Sequence, residues 1–280
     1  MAPVYTKASS LFASGFAGSR PGWRRINALI TRYFYQLSHD RWHLADMFYW
    51  PFFDLAAMGY LATWVSRDAG SSWLSSIIGC MVLWQLVVQT NFVVSKNALL
   101  ELISANVLNL FTTPIQIREW LTACCILSAA VGCTVLLFCS LVALLFFGYN
   151  LFSLGWLLVP VVINLYLSGI ALGTFVTALL FYYGIRAQTV TYMLGWIFGL
   201  IGGSYYPADV LPLPLWVIAR CIPLSYAFDV VRYHQLGTTF IWQNLVAAAI
   251  LNVVYLLLAT SLVRRLFSRT LRYGLARLTY

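Results

Sequence analysis

Lys96–Trp120 reads KNALLELISANVLNLFTTPIQIREW. The stretch lies between two long apolar runs, yet its own pattern is not that of a bilayer span. Read as a helix, Asn97, Glu101, Ala105 and Asn109 fall near one face, and Leu99, Ile103, Val107 and Leu110 near the other. Such a segment is expected to lie along a membrane surface or against a partner. It is expected to stop at Thr113–Pro114, because proline disfavours helix in the residue before it and has no N–H for the turn behind it. A second helix starts at once, with Thr113 as N-cap, Pro114 as first helical residue and Gln116 as the return side of a capping box. The whole reads as a bent, amphipathic elbow leading into a membrane span.

Composition supplies the spans. The chain has 280 residues, 61% hydrophobic and 9% charged, where a soluble domain carries about 25% charged residues. With a mean hydropathy of +0.82, this is an integral membrane composition. A span needs roughly 20 mostly apolar residues. Six stretches qualify: 46–66, 73–95, 121–147, 154–183, 188–204 and 241–263. The expected fold is an all-α polytopic membrane protein. A cytoplasmic tail (1–23) is expected to be disordered, one membrane domain covers 24–265, and a basic tail (266–280) follows.

The net charge of +9 is a topology signal and not a nucleic-acid signal. If both termini are cytoplasmic, fourteen of the 17 Lys/Arg fall inside, including Arg24, Arg25, Arg32, Arg118, Arg186, Arg264 and Arg265. Only Arg67, Arg220 and Arg232 fall outside. This positive-inside bias sets the orientation and makes anionic membrane lipid the counter-charge. The first residues lack a continuous apolar core, so no cleavable signal is expected.

Between the tail and the first span, Ile26, Leu29, Ile30, Tyr33 and Leu37 recur at helical spacing. They predict an interfacial helix with its arginines toward lipid headgroups. His39 and His43 are four apart, but a third ligand and the Glu of a zinc-protease motif are missing, so an interfacial turn is the better reading. Asp54 is a carboxylate within the first span, about two turns from its cytoplasmic end, and Phe52 and Phe53 flank it. These three are candidates for a substrate path; a polar group facing the bundle and an aromatic belt are the competing readings. Gly169/Gly173 and Gly195/Gly199 are small residues four apart, which lets helices approach closely. Five of the six cysteines lie in predicted spans and read as packing residues. Near the end, 202–240 is cut by Pro207, Pro212, Pro214 and Pro223 into apolar pieces too short to span, which predicts a re-entrant hairpin in the outer leaflet.

Catalytic chemistry is not legible. The sequence has no GxxxxGK[ST], no GxSxG and no HExxH, and no catalytic or metal-binding residues are assigned. A pathway driven from elsewhere is the expected role.

Two motifs carry a resemblance. LFTTPIQIREW (Leu110 to Trp120) and GGSYYPADVLP…CIPLSYAFDVVR (Gly202 to Arg232) resemble the coupling elbow and the outer hairpin of ABC-2 type exporter permeases. The matching positions are Thr113, Pro114, Glu119, Tyr206, Pro207, Leu211, Pro212, Pro223, Leu224, Tyr226 and Arg232. The resemblance implies six transmembrane helices, an N-terminal interfacial helix, a cytoplasmic coupling elbow, and a re-entrant hairpin between spans five and six. It implies a multi-pass subunit of the inner membrane that exports an amphiphile, drug or glycan. A second permease, identical or not, and a separate cytosolic ATP-binding subunit carrying ATP and Mg are the implied partners. Glu101, Asn109, Thr113, Pro114, Arg118 and Glu119 are the residues expected to couple to that ATPase. Tyr206, Pro207, Pro212, Pro223, Tyr226 and Arg232 are expected to form the outer hairpin or gate. The alternative reading is an ion-coupled secondary transporter using Asp54.

Overall fold

The computed structural model describes residues 22–39, 41–69, 71–104, 115–236 and 241–273. Within these the chain is all helical: α1 (Trp23–His39), α2 (Arg41–Ala69), α3 (Ser71–Ile103), α4 (Ile117–Phe147), α5 (Leu158–Tyr183), α6 (Gln188–Ile201), α7 (Leu213–Cys221), α8 (Pro223–Leu236) and α9 (Ile241–Tyr273). Short 3₁₀ turns at Leu151–Leu157, Gly184–Ala187 and Ala208–Val210 join some of them.

α3 is the central helix. Ile78 to Val87 is buried at every position, which only an all-round apolar helix inside a bundle tolerates. α4, α5, α6 and α8 pack on it, and α9 packs on α5. Glycines set the spacing. A β-carbon at Gly173 would lie 2.9 Å from Val94 Cβ and 3.0 Å from the Asn91 carbonyl oxygen, so α5 sits almost backbone to backbone on α3.

Four helical runs are long and apolar enough to cross a membrane: Trp73–Ile103, Ile117–Phe147, Leu151–Ile201 and Ile241–Phe267. A fifth follows if the bent pair Leu213–Cys221 and Pro223–His234, which meet at 94°, counts as one. Two of the six stretches expected from the sequence do not stand as runs of their own by this measure. The 46–66 stretch lies in α2, which falls short because Tyr, Trp, Pro51 and Asp54 dilute its apolar residues. The 154–183 and 188–204 stretches belong to one 51-residue run.

That run is not one straight rod. Gly169 closes on Thr90 and Gly173 on Val94, so α5 runs with α3. The Tyr192 ring lies 5.3 Å from that of Phe92 and tilted to it, while Gly199 closes on Trp84, so α6 runs against α3. The chain reverses at Gly184–Ala187, where Gly184 takes φ 69°, ψ −155°, a conformation that favours glycine. The bundle therefore has an elbow end (Ile103, Ile117, Gly184) and a hairpin end (Phe147, Ile201, Leu213).

Each end has its own core. Ile26, Leu29, Tyr33, Trp120, Phe181, Val263 and Phe267 form the one at the elbow end. Ile78, Trp84, Leu154, Leu224 and Phe228 belong to the other. α9 continues ten residues past the predicted span end at 263, through the first part of the predicted tail, because Phe267 packs on Phe181 at 5.3 Å. Its outward face (Val246, Ile250, Val253, Leu257) is exposed and apolar throughout.

Candidate functional site

The elbow flanks are built by α1. Ile26, Leu29 and Tyr33 recur at three and four residues and bury one stripe of the helix. The predicted outcome for its arginines is corrected: Arg25 and Arg32 turn to two buried glutamates rather than only to a lipid surface. Glu101 Oε1 accepts from the Tyr33 hydroxyl at 2.8 Å and lies 2.8 Å from the Arg32 guanidinium. The Tyr33 oxygen in turn accepts from Trp120 Nε1 at 2.7 Å. Burial, before all else, raises the Tyr33 hydroxyl well above its ordinary pKa. It therefore stays protonated and donates to the carboxylate.

Glu119 does the same on the other flank. Its Oε1 accepts from the Gly22 N–H at 3.0 Å and lies 3.4 Å from Arg25. Its Oε2 accepts from the Gln116 N–H at 3.1 Å. The N-cap of α4 is thus Gln116, with Glu119 as the returning side chain, three residues later than the predicted cap at Thr113. A second correction concerns 97–103. These residues are the last turns of α3, with Asn97, Leu99, Glu101 and Leu102 buried, and not a separate surface helix. Asn109, Thr113 and Pro114 lie outside the described residues. Arg118 is exposed on the first turn of α4. Of the expected coupling residues, Glu101 and Glu119 face inward, and Arg118 faces outward.

Along α2 the aromatic residues divide. Phe53 is exposed, and half-buried Phe52 packs on Phe146. Asp54 is half-buried and accepts from Gln85 Nε2 at 2.6 Å. α2 begins at Arg41. Asp54 is therefore about 20 Å from the start of its helix and lies beside Tyr205 of the hairpin end, farther from the elbow end than two turns.

A cavity of about 510 Å³ opens between α2, α3 and α6. Asp46 and Trp50 line it from α2, Gln89, Phe92 and Lys96 from α3, and Tyr192 and Trp196 from α6. Its size is that of pockets for ligands of several rings. Nothing in the one-dimensional pattern brings Trp50, Gln89 and Trp196 to one cavity.

At the hairpin end, four charged side chains tie the turns together. Arg220 of α7 lies 2.5 Å from Asp229 of α8 and 3.1 Å from Asp209. Arg232 lies 3.6 Å from Asp229 and donates to the Gly203 carbonyl. Arg232 and Asp229 are buried. The Arg220 guanidinium also sits over the Trp216 and Tyr226 rings, at 5.8 and 5.6 Å. Pro207 and Pro212 precede the Ala208–Val210 turn and α7, and Pro223 opens α8, so each proline starts an element rather than interrupting one. Tyr206 is half-buried. A third polar group joins α5 to α9: Asn252 donates to Asn164 and accepts from Ser168 at 2.7 Å.

Among the described residues no three His, Cys, Asp or Glu side chains gather as a metal site. Cys80, Cys124 and Cys139 are buried as expected of packing residues, whereas Cys133 points out of the bundle. The sequence reading missed Tyr33, Arg25 and Arg32 as partners of the two glutamates, and Trp120 as the donor to Tyr33. The available signal was the basic pair of positions on an amphipathic helix beside two carboxylates in otherwise acid-poor sequence. The chain matches no family model and no curated protein.

Proposed function

We propose that the chain is the membrane subunit of an ATP-driven exporter of the ABC-2 type, working with a separate ATP-binding subunit and a second permease, identical or not. In this reading α2, α3, α4, α5, α6 and α9 cross the inner membrane, α7 and α8 form the re-entrant outer hairpin, and both termini are cytoplasmic. The cavity between α2, α3 and α6 lies on the substrate path, and ATP and Mg are held by the partner.

The observation that carries the reading is the pair of buried glutamates. Glu101 ends α3 and Glu119 begins α4, and both are bound by α1. The segment between them is the one whose sequence resembles a coupling elbow. A push on that segment moves α3, α4 and α1 together, because a buried charge that loses its partner destabilises by about 3–5 kcal/mol. α3 carries the motion to the cavity and on to Trp84 and Phe228 beneath the hairpin.

The test is purification of the tagged chain from its native membrane in mild detergent, followed by mass spectrometry. The expected result is a stoichiometric ATP-binding subunit that is lost on Arg118→Glu, an exposed change that leaves the fold intact. A folded chain that never brings an ATPase with it, and transports with an ion gradient dependent on Asp54, would refute the proposal.

A further inference from the structure

The elbow end holds a closed relay, in which Trp120 donates to Tyr33 at 2.7 Å and Tyr33 to Glu101 at 2.8 Å. The hairpin end brings together the same three kinds of side chain. Trp84 comes from α3, Tyr205 from the turn after α6 and Asp54 from α2, and Tyr205 lies beside both of the others. Here the relay is open. Trp84 is fully buried, and neither its Nε1 nor the buried Tyr205 hydroxyl has a hydrogen-bond partner among the described residues. Asp54 accepts from Gln85 Nε2 at 2.6 Å, and among the described residues no ion pair reaches it. A carboxylate with one such bond has capacity for further donors.

Buried polar groups are almost always satisfied, and each exception calls for a reason. The Tyr205 hydroxyl suits both neighbours at once, because a hydroxyl accepts from an indole N–H while it donates to a carboxylate. Of the three side chains, Tyr205 is the least fixed by secondary structure. Asp54 and Trp84 sit within long helices, and the Trp84 ring is wedged against Gly199 and packs on Phe228. Tyr205 lies between the end of α6 at Ile201 and the 3₁₀ turn that starts at Ala208, in no helix of its own. The chain enters this turn through Gly203 at φ 78°, whose carbonyl Arg232 holds.

We infer that Tyr205 is a clasp for the outer hairpin. In the seated hairpin its hydroxyl accepts from Trp84 Nε1 and donates to Asp54; the structure holds the unseated arrangement. Closing the clasp joins α2, α3 and the hairpin through one oxygen, as Tyr33 joins α1, α3 and α4 at the other end. Calling the hairpin a gate rests on the permease reading; the clasp itself does not.

The test is the sign of the effect of Tyr205→Phe. If the open arrangement were the only one, the variant would lose no bond, and removing an unpartnered buried hydroxyl is neutral or stabilising. If the clasp closes, the variant loses two bonds and the hairpin loosens. The assay is amide hydrogen exchange, read by mass spectrometry, on the full chain in lipid nanodiscs. Tyr205→Phe is expected to speed exchange over 202–212 at least tenfold and to leave 23–39 unchanged. In an Asp54→Ala background, which has already lost the acceptor, Tyr205→Phe is expected to add less than threefold. Less than tenfold acceleration in the single variant, acceleration spread evenly over the chain, or threefold or more in the Asp54→Ala background would overturn the inference. Exchange is read without ATP or a partner, so these outcomes stand apart from the co-purification test. Local acceleration with no ATPase removes the exporter reading alone; an ATPase with no local acceleration removes the clasp alone.

Discussion

The Tyr33 hydroxyl is one oxygen on which two buried groups depend. It donates to Glu101 at 2.8 Å and accepts from Trp120 Nε1 at 2.7 Å, and Glu101 and Trp120 are 2% and 0% exposed. Tyr33→Phe removes that oxygen and leaves the ring, so no large cavity opens. The Trp120 N–H is left buried and unpaired, at about 1–3 kcal/mol. Glu101 keeps Arg32 but loses a hydrogen bond to a charged acceptor, itself worth about 1.5–3 kcal/mol. The slightly more apolar ring returns part of this, so the net loss is about 2–4 kcal/mol. The assay is equilibrium unfolding in mixed micelles, followed by circular dichroism, on Tyr33→Phe, Trp120→Phe and the double variant. Trp120→Phe carries a packing loss of its own, but that loss occurs in both backgrounds and cancels in the cycle. A coupling energy of at least about 1 kcal/mol is expected. A Tyr33→Phe chain within about 0.5 kcal/mol of the parent, with additive single variants, would refute the relay as a link between α1, α3 and α4.

Two further outcomes follow from the packing and the charges. Gly173→Val places a β-carbon within 3.0 Å of the α3 backbone, which cannot yield as a flexible side chain can. A loss of about 1–3 kcal/mol is expected, read as a lower melting temperature in detergent. Asp229→Ala leaves Arg232 buried without its carboxylate. It should lose about 3–5 kcal/mol, whereas Asp209→Ala, at a position 67% exposed, should lose less than about 1 kcal/mol in the same unfolding assay.

The outcome along the chain varies with the range of the interaction that decides it. The helix at α1 was legible because Ile26, Leu29 and Tyr33 repeat at its own period. Its destination was not: an amphipathic stripe suits a lipid surface as well as a protein one, and only the carboxylates of Glu101 and Glu119 decide between them. The reading of 97–103 as part of a surface helix failed for a related reason. Asn97 and Glu101 look like a solvent face, yet Glu101 is buried because Arg32 and Tyr33 arrive from 68 and more residues away. The capping of α4 was read with the right kind of motif in the wrong frame, since Thr113 and Gln116 both suit an N-cap and only the position of Gly22 and Arg25 against Glu119 separates them. Asp54 was read as a carboxylate within the first span, but its place in the bundle depends on where α2 starts and on Gln85.

By itself the sequence determined that this is a helical protein with membrane-spanning character. Run length, low charge and the bias of Lys and Arg are properties of single segments, and the bilayer acts on each segment separately. It also marked Pro207, Pro212 and Pro223 as places where the chain breaks into short pieces, because backbone torsion is a local matter. Tertiary structure alone decided that α5 and α6 fold back against α3, that two glutamates are internal, and that Trp50 and Trp196 line one cavity. Those facts depend on which faces meet, and a helix of apolar residues offers several faces of nearly equal energy until close contacts such as Gly173 on Asn91, and paired buried charges, select one.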